Sequence, residues 1–181
     1  MTVAIDPDAD DEELEEQSDD ATTVRRVLWF AAVIVVLLLM RSFVIEPVRV
    51  RSDSMEPTVP SGAILLIDKL TYLTRGPHRG DVVVAPDPRT GESIVKRVVA
   101  VGGDSVGIED GQLIVNGERV VENYIDNAEM DGFFTGPDVV PPGDVYVLGD
   151  NRDTSEDSRA FGTIDVDEIE GRVLTTIWPL G

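Results

Sequence analysis

Hydrophobic positions change their spacing twice along the chain, and each change predicts a different kind of element. From Asp6 to Thr23 nearly every side chain is acidic or small and polar, and Leu14 is the only large apolar one. Burial cannot offset the ordering entropy of such a segment, so residues 1–24 read as a disordered acidic tail. Arg25 and Arg26 follow, then the uncharged run Val27 to Met40, then Arg41 and the apolar Phe43, Val44 and Ile45. A bilayer span needs ~20 residues at ~1.5 Å each. Residues 27–45 reach that length if Arg41 snorkels to the headgroups, and Trp29 and Phe43 fall near the ends, where aromatic belts sit. The pattern predicts one uncleaved membrane anchor. A buried core helix is rarely apolar on all sides, and a cleavable secretion signal would show a small-residue cleavage site that is missing here.

Beyond Ile45 the spacing shortens. Runs rich in Val and Ile alternate with Gly, Pro and Asp: Val44 to Arg51, Ala63 to Lys69, Asp81 to Ala85, Ser93 to Val101, Gln112 to Val115, Val145 to Leu148 and Gly171 to Trp178. These are strand signals at sandwich or barrel spacing, with no amphipathic helix among them except one possible turn over Val166 to Ile169. Asn116-Gly117, between Leu113-Ile114-Val115 and Arg119-Val120-Val121, is the strongest hairpin signal. The fold class is therefore all-β behind one N-terminal helix.

Composition narrows the chemistry. The chain has 181 residues, with 15 basic and 35 acidic side chains, no cysteine and one histidine. Thiolate metal sites, cysteine nucleophiles and disulfide frameworks are excluded, and histidine relays and multi-histidine metal centres are poorly supplied. A net charge of -20 argues against nucleic acid. Charge does not fix the orientation of the anchor, because Arg25 and Arg26 precede it while Arg41, Arg49 and Arg51 follow from its far end.

A hydrolase so poor in histidine must activate its nucleophile by other means. His78 lies in the turn-like run Gly76-Pro77-His78-Arg79-Gly80 and reads as a solvated loop residue. The two lysines are Lys69, at a strand edge, and Lys96, inside the run Ser93 to Val101. In strict alternation Lys96 shares a face with Ile94, Val98 and Ala100. If that face is the core side, desolvation lowers the amine's pKa and frees it as a general base; if it is an edge, the lysine snorkels out. Ser54 opens Ser54-Met55-Glu56-Pro57-Thr58, where either a presented nucleophile or an ordinary turn-initiating serine fits. Gly149 to Gly162 is a dense polar loop in which Asp157 and Arg159 can pair.

Four segments occur together and in order: Ser54-Met55-x-Pro57-Thr58; Arg79-Gly80-Asp81-Val82; Lys96-Arg97 with Gly103-Asp104; and Gly149-Asp150-Asn151 through Ser155-x-Asp157-Ser158-Arg159. The set resembles the conserved boxes of the type I signal peptidases, or leader peptidases, from Arg25 to Gly181. The sequence departs from the family at Gly102, where many members carry proline, and at Arg51, where an apolar or small residue is common.

The resemblance implies an antiparallel β catalytic core over 46–103 and 145–181 and a smaller β cap over 104–144. It implies a serine-lysine dyad with Ser54 as nucleophile and Lys96 as base. Ser52 and the amide of Ser54 would form the oxyanion hole, Ser155 would orient the lysine, and Asp157 with Arg159 would brace the loop. Val50, Met55, Val59, Ile94 and Val95 are the candidates to line the substrate pockets. No metal and no cofactor is implied. The implied substrates are signal peptides of exported preproteins, cut after an Ala-x-Ala type site. The lipid bilayer is the implied surface, the secretion translocon a further candidate partner, and nucleic acid none. The implied location is the cell membrane, single-pass, with the amino terminus cytoplasmic and the catalytic domain outside. Leu70, Tyr72 and Leu73 suit either lipid contact or core packing. A self-cleaving repressor-type protease shares the Ser-Lys chemistry, but the membrane span and the lack of a DNA-binding helix pair count against it. A peptide-binding β-domain without activity would need neither Ser54 nor Lys96.

Overall fold

The computed structural model describes residues 23–39, 45–125 and 135–178, arranged as two compact units that divide after Ser42. The acidic tail up to residue 22 lies outside the described residues, as do residues 40–44 of the predicted anchor. In the first unit residues 23–39 form a helix, α1, whose large apolar side chains, Trp29, Phe30 and Leu37 among them, are exposed. No helix among the described residues is long and apolar enough to cross a membrane.

The second unit is built from antiparallel strands. A seven-stranded sheet holds β1 (Ile45–Arg49), β2 (Ile64–Asp68), β3 (Val82–Pro86), β4 (Ser93–Val101), β9 (Asp144–Leu148), β10 (Ile164–Asp165) and β11 (Gly171–Trp178), in the order β1-β2-β11-β3-β4-β9-β10. A four-stranded sheet holds β5 (Ser105–Glu109), β6 (Gln112–Val115), β7 (Glu118–Arg119) and β8 (Thr135–Val139), in the order β7-β6-β5-β8. Two single-turn helices, α2 (Thr71–Thr74) and α3 (Ser158–Phe161), and a 3-10 turn over Val166–Glu168 complete it.

The strands follow the β-branched runs closely, and β4, β6 and β11 keep the bounds that the sequence predicts. The Asn116-Gly117 turn takes φ of 56° and 79°, and the register Val115↔Glu118 closes it as a two-residue hairpin. β5, β8 and the two-residue β10 are additions to the predicted set. Gly107 interrupts β5, and β8 reads Thr-Gly-Pro-Asp-Val, so neither shows the apolar run that announces a strand. Gly136 earns its place by close approach: a β-carbon there would lie 2.6 Å from the Val106 carbonyl oxygen.

β4 sits deep in the large sheet, between β3 and β9. It is buried from Val95 to Ala100 on both faces, and a register shift between Val98 and Ala100 breaks its alternation. Its side chains therefore feed three clusters: Val95 joins Val50, Met55, Val59 and Leu65; Val98 joins Val83, Val147 and Ile164; Val99 and Ala100 join Ile108, Leu113, Tyr146 and Leu148. The third cluster draws on both sheets, so the four-stranded sheet packs through the base of β4 and β9 rather than standing apart. Gly102 marks the crossing, since a β-carbon there would meet the Pro141 carbonyl oxygen at 2.9 Å. Tyr72 packs into the core and donates to Asp81 at 3.1 Å, which assigns this ring to packing.

Candidate active site

Ser54 lies in the looped segment that follows β1. Val50 donates its amide to the Ala63 carbonyl at 2.8 Å, extending the β1–β2 pairing, after which the chain turns through Ser52 to Pro60. Met55 and Val59 are buried beneath that turn and join its own 2.8 Å backbone bond, Val59 N–H to the Met55 carbonyl, in fixing its path. Ser54 is held at 6% exposure, and its hydroxyl shares a 3.1 Å hydrogen bond with the exposed Ser52 hydroxyl.

Lys96 sits on β4 opposite Val83 of β3 and is 4% exposed. Burial pushes its pKa below the ordinary lysine value; the Asp157 carboxylate opposes that fall and the Arg159 guanidinium adds to it. Among the described residues the Lys96 amine makes no ion pair. Burial without a carboxylate bonded to the amine shifts the balance towards its neutral form, the form that can accept a proton.

The loop between β9 and α3 comes over from the other side. Asn151 donates its backbone N–H to the Ser54 carbonyl at 3.0 Å, and Gly149 fills the space beside it. A β-carbon on Gly149 would stand 2.4 Å from the Ser54 carbonyl oxygen and 2.2 Å from Ser155 Oγ, so Ser54 and Ser155 flank a spot where only glycine fits. The Ser155 hydroxyl is buried and has no hydrogen-bond partner among the described residues. A hydroxyl left unpaired at a site costs about 1–3 kcal/mol unless a ligand or a moving group engages it.

Asp157, fully buried, organises the loop. Its carboxylate accepts from the Gly149 amide at 3.0 Å, from Arg159 Nε at 2.8 Å and from the Arg159 amide at 3.2 Å, the last as N-cap of α3. Arg159 then reaches the carbonyls of Arg152 and Ser155 at 2.7 and 3.2 Å. Ser158 Oγ accepts the Val147 amide at 2.9 Å and ties the loop back to β9.

The sequence profile described as "Signal peptidase, peptidase S26" matches residues 23–178. The chain belongs to this signal peptidase family. It is a type I signal peptidase, a serine hydrolase. It is 35% identical over 153 residues to signal peptidase IB of Staphylococcus aureus, covering 76% of this chain and 80% of that protein. It is 34% identical over 149 residues to signal peptidase I of Leptolyngbya laminosa, covering 78% of this chain and 72% of that one. A solved signal peptidase I from Enterococcus faecalis V583 aligns at 34% identity with a TM-score of 0.48, over 56% of this chain and 98% of that chain.

In this signal peptidase, Ser52, Ser54, Ser155, Asp157 and Arg159 are drawn together around Gly149, with the Lys96 amine sensing Asp157 and Arg159. The proposed pocket residues divide: Val50, Met55, Val59 and Val95 are buried in one cluster, while Ile94 is partly buried against another. His78 has Arg75 and Asp81 as its partners and contacts neither serine. Among the described residues no group of three or more His, Asp or Glu side chains stands in a metal-ligating arrangement.

Sequence reasoning gave no role to the buried ion pairs behind the loop. Arg97 binds Asp150 through two bonds of 2.8 and 2.6 Å, and Arg152 binds Glu122 through two of 3.0 and 2.6 Å. Arg97 and Arg152 stand inside motifs already singled out, and an arginine fixed in a motif is itself the signal for a buried carboxylate partner. Glu122 lies in a stretch without a motif.

Proposed function

We propose that this chain is a membrane-anchored serine endopeptidase that removes signal peptides from exported preproteins, cutting after Ala-x-Ala type sites with Ser54 as nucleophile and Lys96 as general base. The observation that supports this reading is Lys96: an amine buried on a central strand, without an ion-pair partner among the described residues, near the Asp157 and Arg159 charges of the loop that docks on Ser54. Neutral Lys96 takes the Ser54 proton as Oγ attacks the scissile carbonyl. The oxyanion that forms is received by the Ser52 hydroxyl and the Ser54 amide. Removing one such donor typically costs ~2.7–4 kcal/mol of transition-state stabilisation. Protonated Lys96 then delivers its proton to the leaving amine, and the same amine activates the water that releases the acyl group. Ser155, Asp157 and Arg159 support this geometry from the loop. The substrate adds as an extended strand beside Arg49 to Ser54 and Ser93 to Lys96, with small side chains entering shallow pockets near Val50, Met55, Val59, Ile94 and Val95.

Residues 27–45 serve as the anchor, with the amino terminus in the cytoplasm and the β domain outside, which keeps the enzyme and the apolar segment of its substrate in one bilayer. The exposed apolar side chains of α1 support this. Residues 104–144 act as the cap of the catalytic core. The test is cleavage of a synthetic Ala-x-Ala signal peptide by the detergent-solubilised full chain. Cleavage at that site is expected, and its absence would overturn the substrate assignment.

A further inference from the structure

After β7 the chain runs as an arm in which exposed and buried positions alternate: Val121 is 81% exposed, Glu122 is buried, Asn123 is exposed and Tyr124 is half-buried. The arm is rooted in the four-stranded sheet, where the Val120 amide donates to the Leu113 carbonyl at 2.9 Å and its side chain packs on the shared core. Its two inward side chains do not complete that core. They meet the two guanidinium groups that hold the Gly149 turn.

Glu122 receives both terminal nitrogens of Arg152, and Arg152 Nε donates in turn to the Gly149 carbonyl at 2.9 Å. Tyr124 donates its hydroxyl to Glu122 at 2.6 Å and lays its ring 3.9 Å beneath the Arg97 guanidinium. Arg97 binds the carboxylate of Asp150, the residue next to Gly149, and donates to the Gly80 carbonyl at 3.0 Å. Arg97 is also the immediate neighbour of Lys96 on β4. The Gly149 turn is therefore gripped from behind on both sides, and its front presses on the Ser54 carbonyl and Ser155.

We propose that Glu122 and Tyr124 are positioning residues of the hydrolase: they hold Arg152 and Arg97 so that the Gly149–Asn151 turn keeps Ser155 and the Ser54 peptide in register with Lys96. The proposal rests on the Ser54–Lys96 reading. It gives residues 104–144 a task in catalysis through two named side chains.

The experiment measures kcat and KM against pH for the detergent-solubilised full chain on a synthetic Ala-x-Ala peptide, with thermal unfolding followed in parallel. Glu122→Gln keeps the shape but halves the carboxylate's pairing with Arg152. It is expected to lower kcat about ten-fold with KM within about three-fold, as loss of an interaction felt in the transition state does. The rising limb of its rate profile should move to higher pH, because a loosened turn admits water to the Lys96 amine. Glu122→Asp, which keeps the charge, should recover most of the kcat. Unchanged kcat, or a loss that follows unfolding with an unshifted limb, would overturn the proposal. If Glu122→Gln fails to fold, Tyr124→Phe decides: removal of one hydroxyl should lower kcat about three-fold with a limb shift of the same sign, and wild-type behaviour would overturn it. Ser54→Ala and Lys96→Ala run alongside. Activity in either would overturn the dyad itself, whereas two dead dyad variants with an indifferent Glu122 and Tyr124 would remove the clamp alone.

Discussion

The backbone amide of Asn151 donates to the carbonyl of Ser54 at 3.0 Å, docking the loop directly on the peptide of the proposed nucleophile. Gly149 completes that contact at a point with no space for a methyl group. Gly149→Ala is therefore expected to displace Ser155 or the Ser54 peptide. Overpacking of this kind lowers stability by about 1–3 kcal/mol. A loss of kcat/KM on the order of 100-fold should accompany it, as a misplacement of about 1 Å produces. Denaturant melts and peptide cleavage check both, and a variant as active as wild type would show that the contact does not matter to the reaction.

Ser54→Ala and Lys96→Ala should each lower peptide cleavage by roughly 10⁴-fold or more while leaving the circular dichroism spectrum intact, since a nucleophile and its base act as one unit. His78→Ala should stay within about three-fold of wild type, because its ring is bound to Arg75 and its backbone amide to Asp81, and neither Ser54 nor Lys96 is among these partners. A histidine variant as inactive as Ser54→Ala would demand a different base.

The rate should rise with pH. Burial holds the Lys96 pKa below its ordinary 10.5, so kcat/KM should climb through that lowered value as the amine loses its proton. Stability has a matching sign. Between the folded and unfolded pKa values the unfolded chain binds the extra proton, so the contribution of Lys96 to stability is greatest above 10.5, declines as pH falls from there, and levels off below the folded value. Lys96→Met should flatten that slope. A rate limb at the ordinary lysine value would mean that the amine is solvated.

Asp150→Asn tests the buried pair behind the site. It leaves the Arg97 guanidinium, which is almost wholly enclosed, without a full counter-charge. Loss of one partner of a buried ion pair lowers stability by about 3–5 kcal/mol. Urea unfolding reads this directly, and a change under about 1 kcal/mol, the range of exposed pairs, would show that water reaches the guanidinium.

Orientation is open to a protease added outside intact spheroplasts. It should reach the β domain and spare residues 1–24; the reverse pattern would overturn both the topology and the choice of substrate.

What the sequence revealed depended on how each element announces itself. β4 and β11 are nine and eight residues of mostly β-branched or apolar side chains, and their ends are marked by glycine, proline or polar neighbours. β8 could not be seen, because Gly136 and Pro137 satisfy a close backbone approach instead of a hydrophobic face. The position of Lys96 was legible as a charge among apolar neighbours, but its desolvation was not, since that depends on β3 and β9 closing over both sides of β4. Alternation misled beyond Val98, where the register shift brings Val99 and Ala100 into the same cluster. Glu122 was invisible for a simpler reason: an isolated glutamate in an acidic chain looks like solvent-facing charge until Arg152 is found upon it.

The choice of cation gives this enzyme a selective titration. Only two of its 15 basic residues are lysines, and the cations that hold the loop, the buried Arg97 and Arg152 and the partly buried Arg159, are arginines. Guanidinium groups keep their proton across the whole range in which enzymes work. Burial by itself would pull Arg97 down, but Asp150 outweighs it and drives the group further from neutrality. The tyrosines follow the same course, with desolvation carrying Tyr146 up to about 12. Asp68, Asp81, Asp87 and Asp104 are carried downward, in each case by hydrogen bonds to the carboxylate. Of the described groups with a resolved shift, Lys96 alone moves towards neutral pH. The one group drawn towards neutral pH is thus also the proposed base, so a fall in pH would act on the proposed chemistry and, through the same proton, on the stability of the fold.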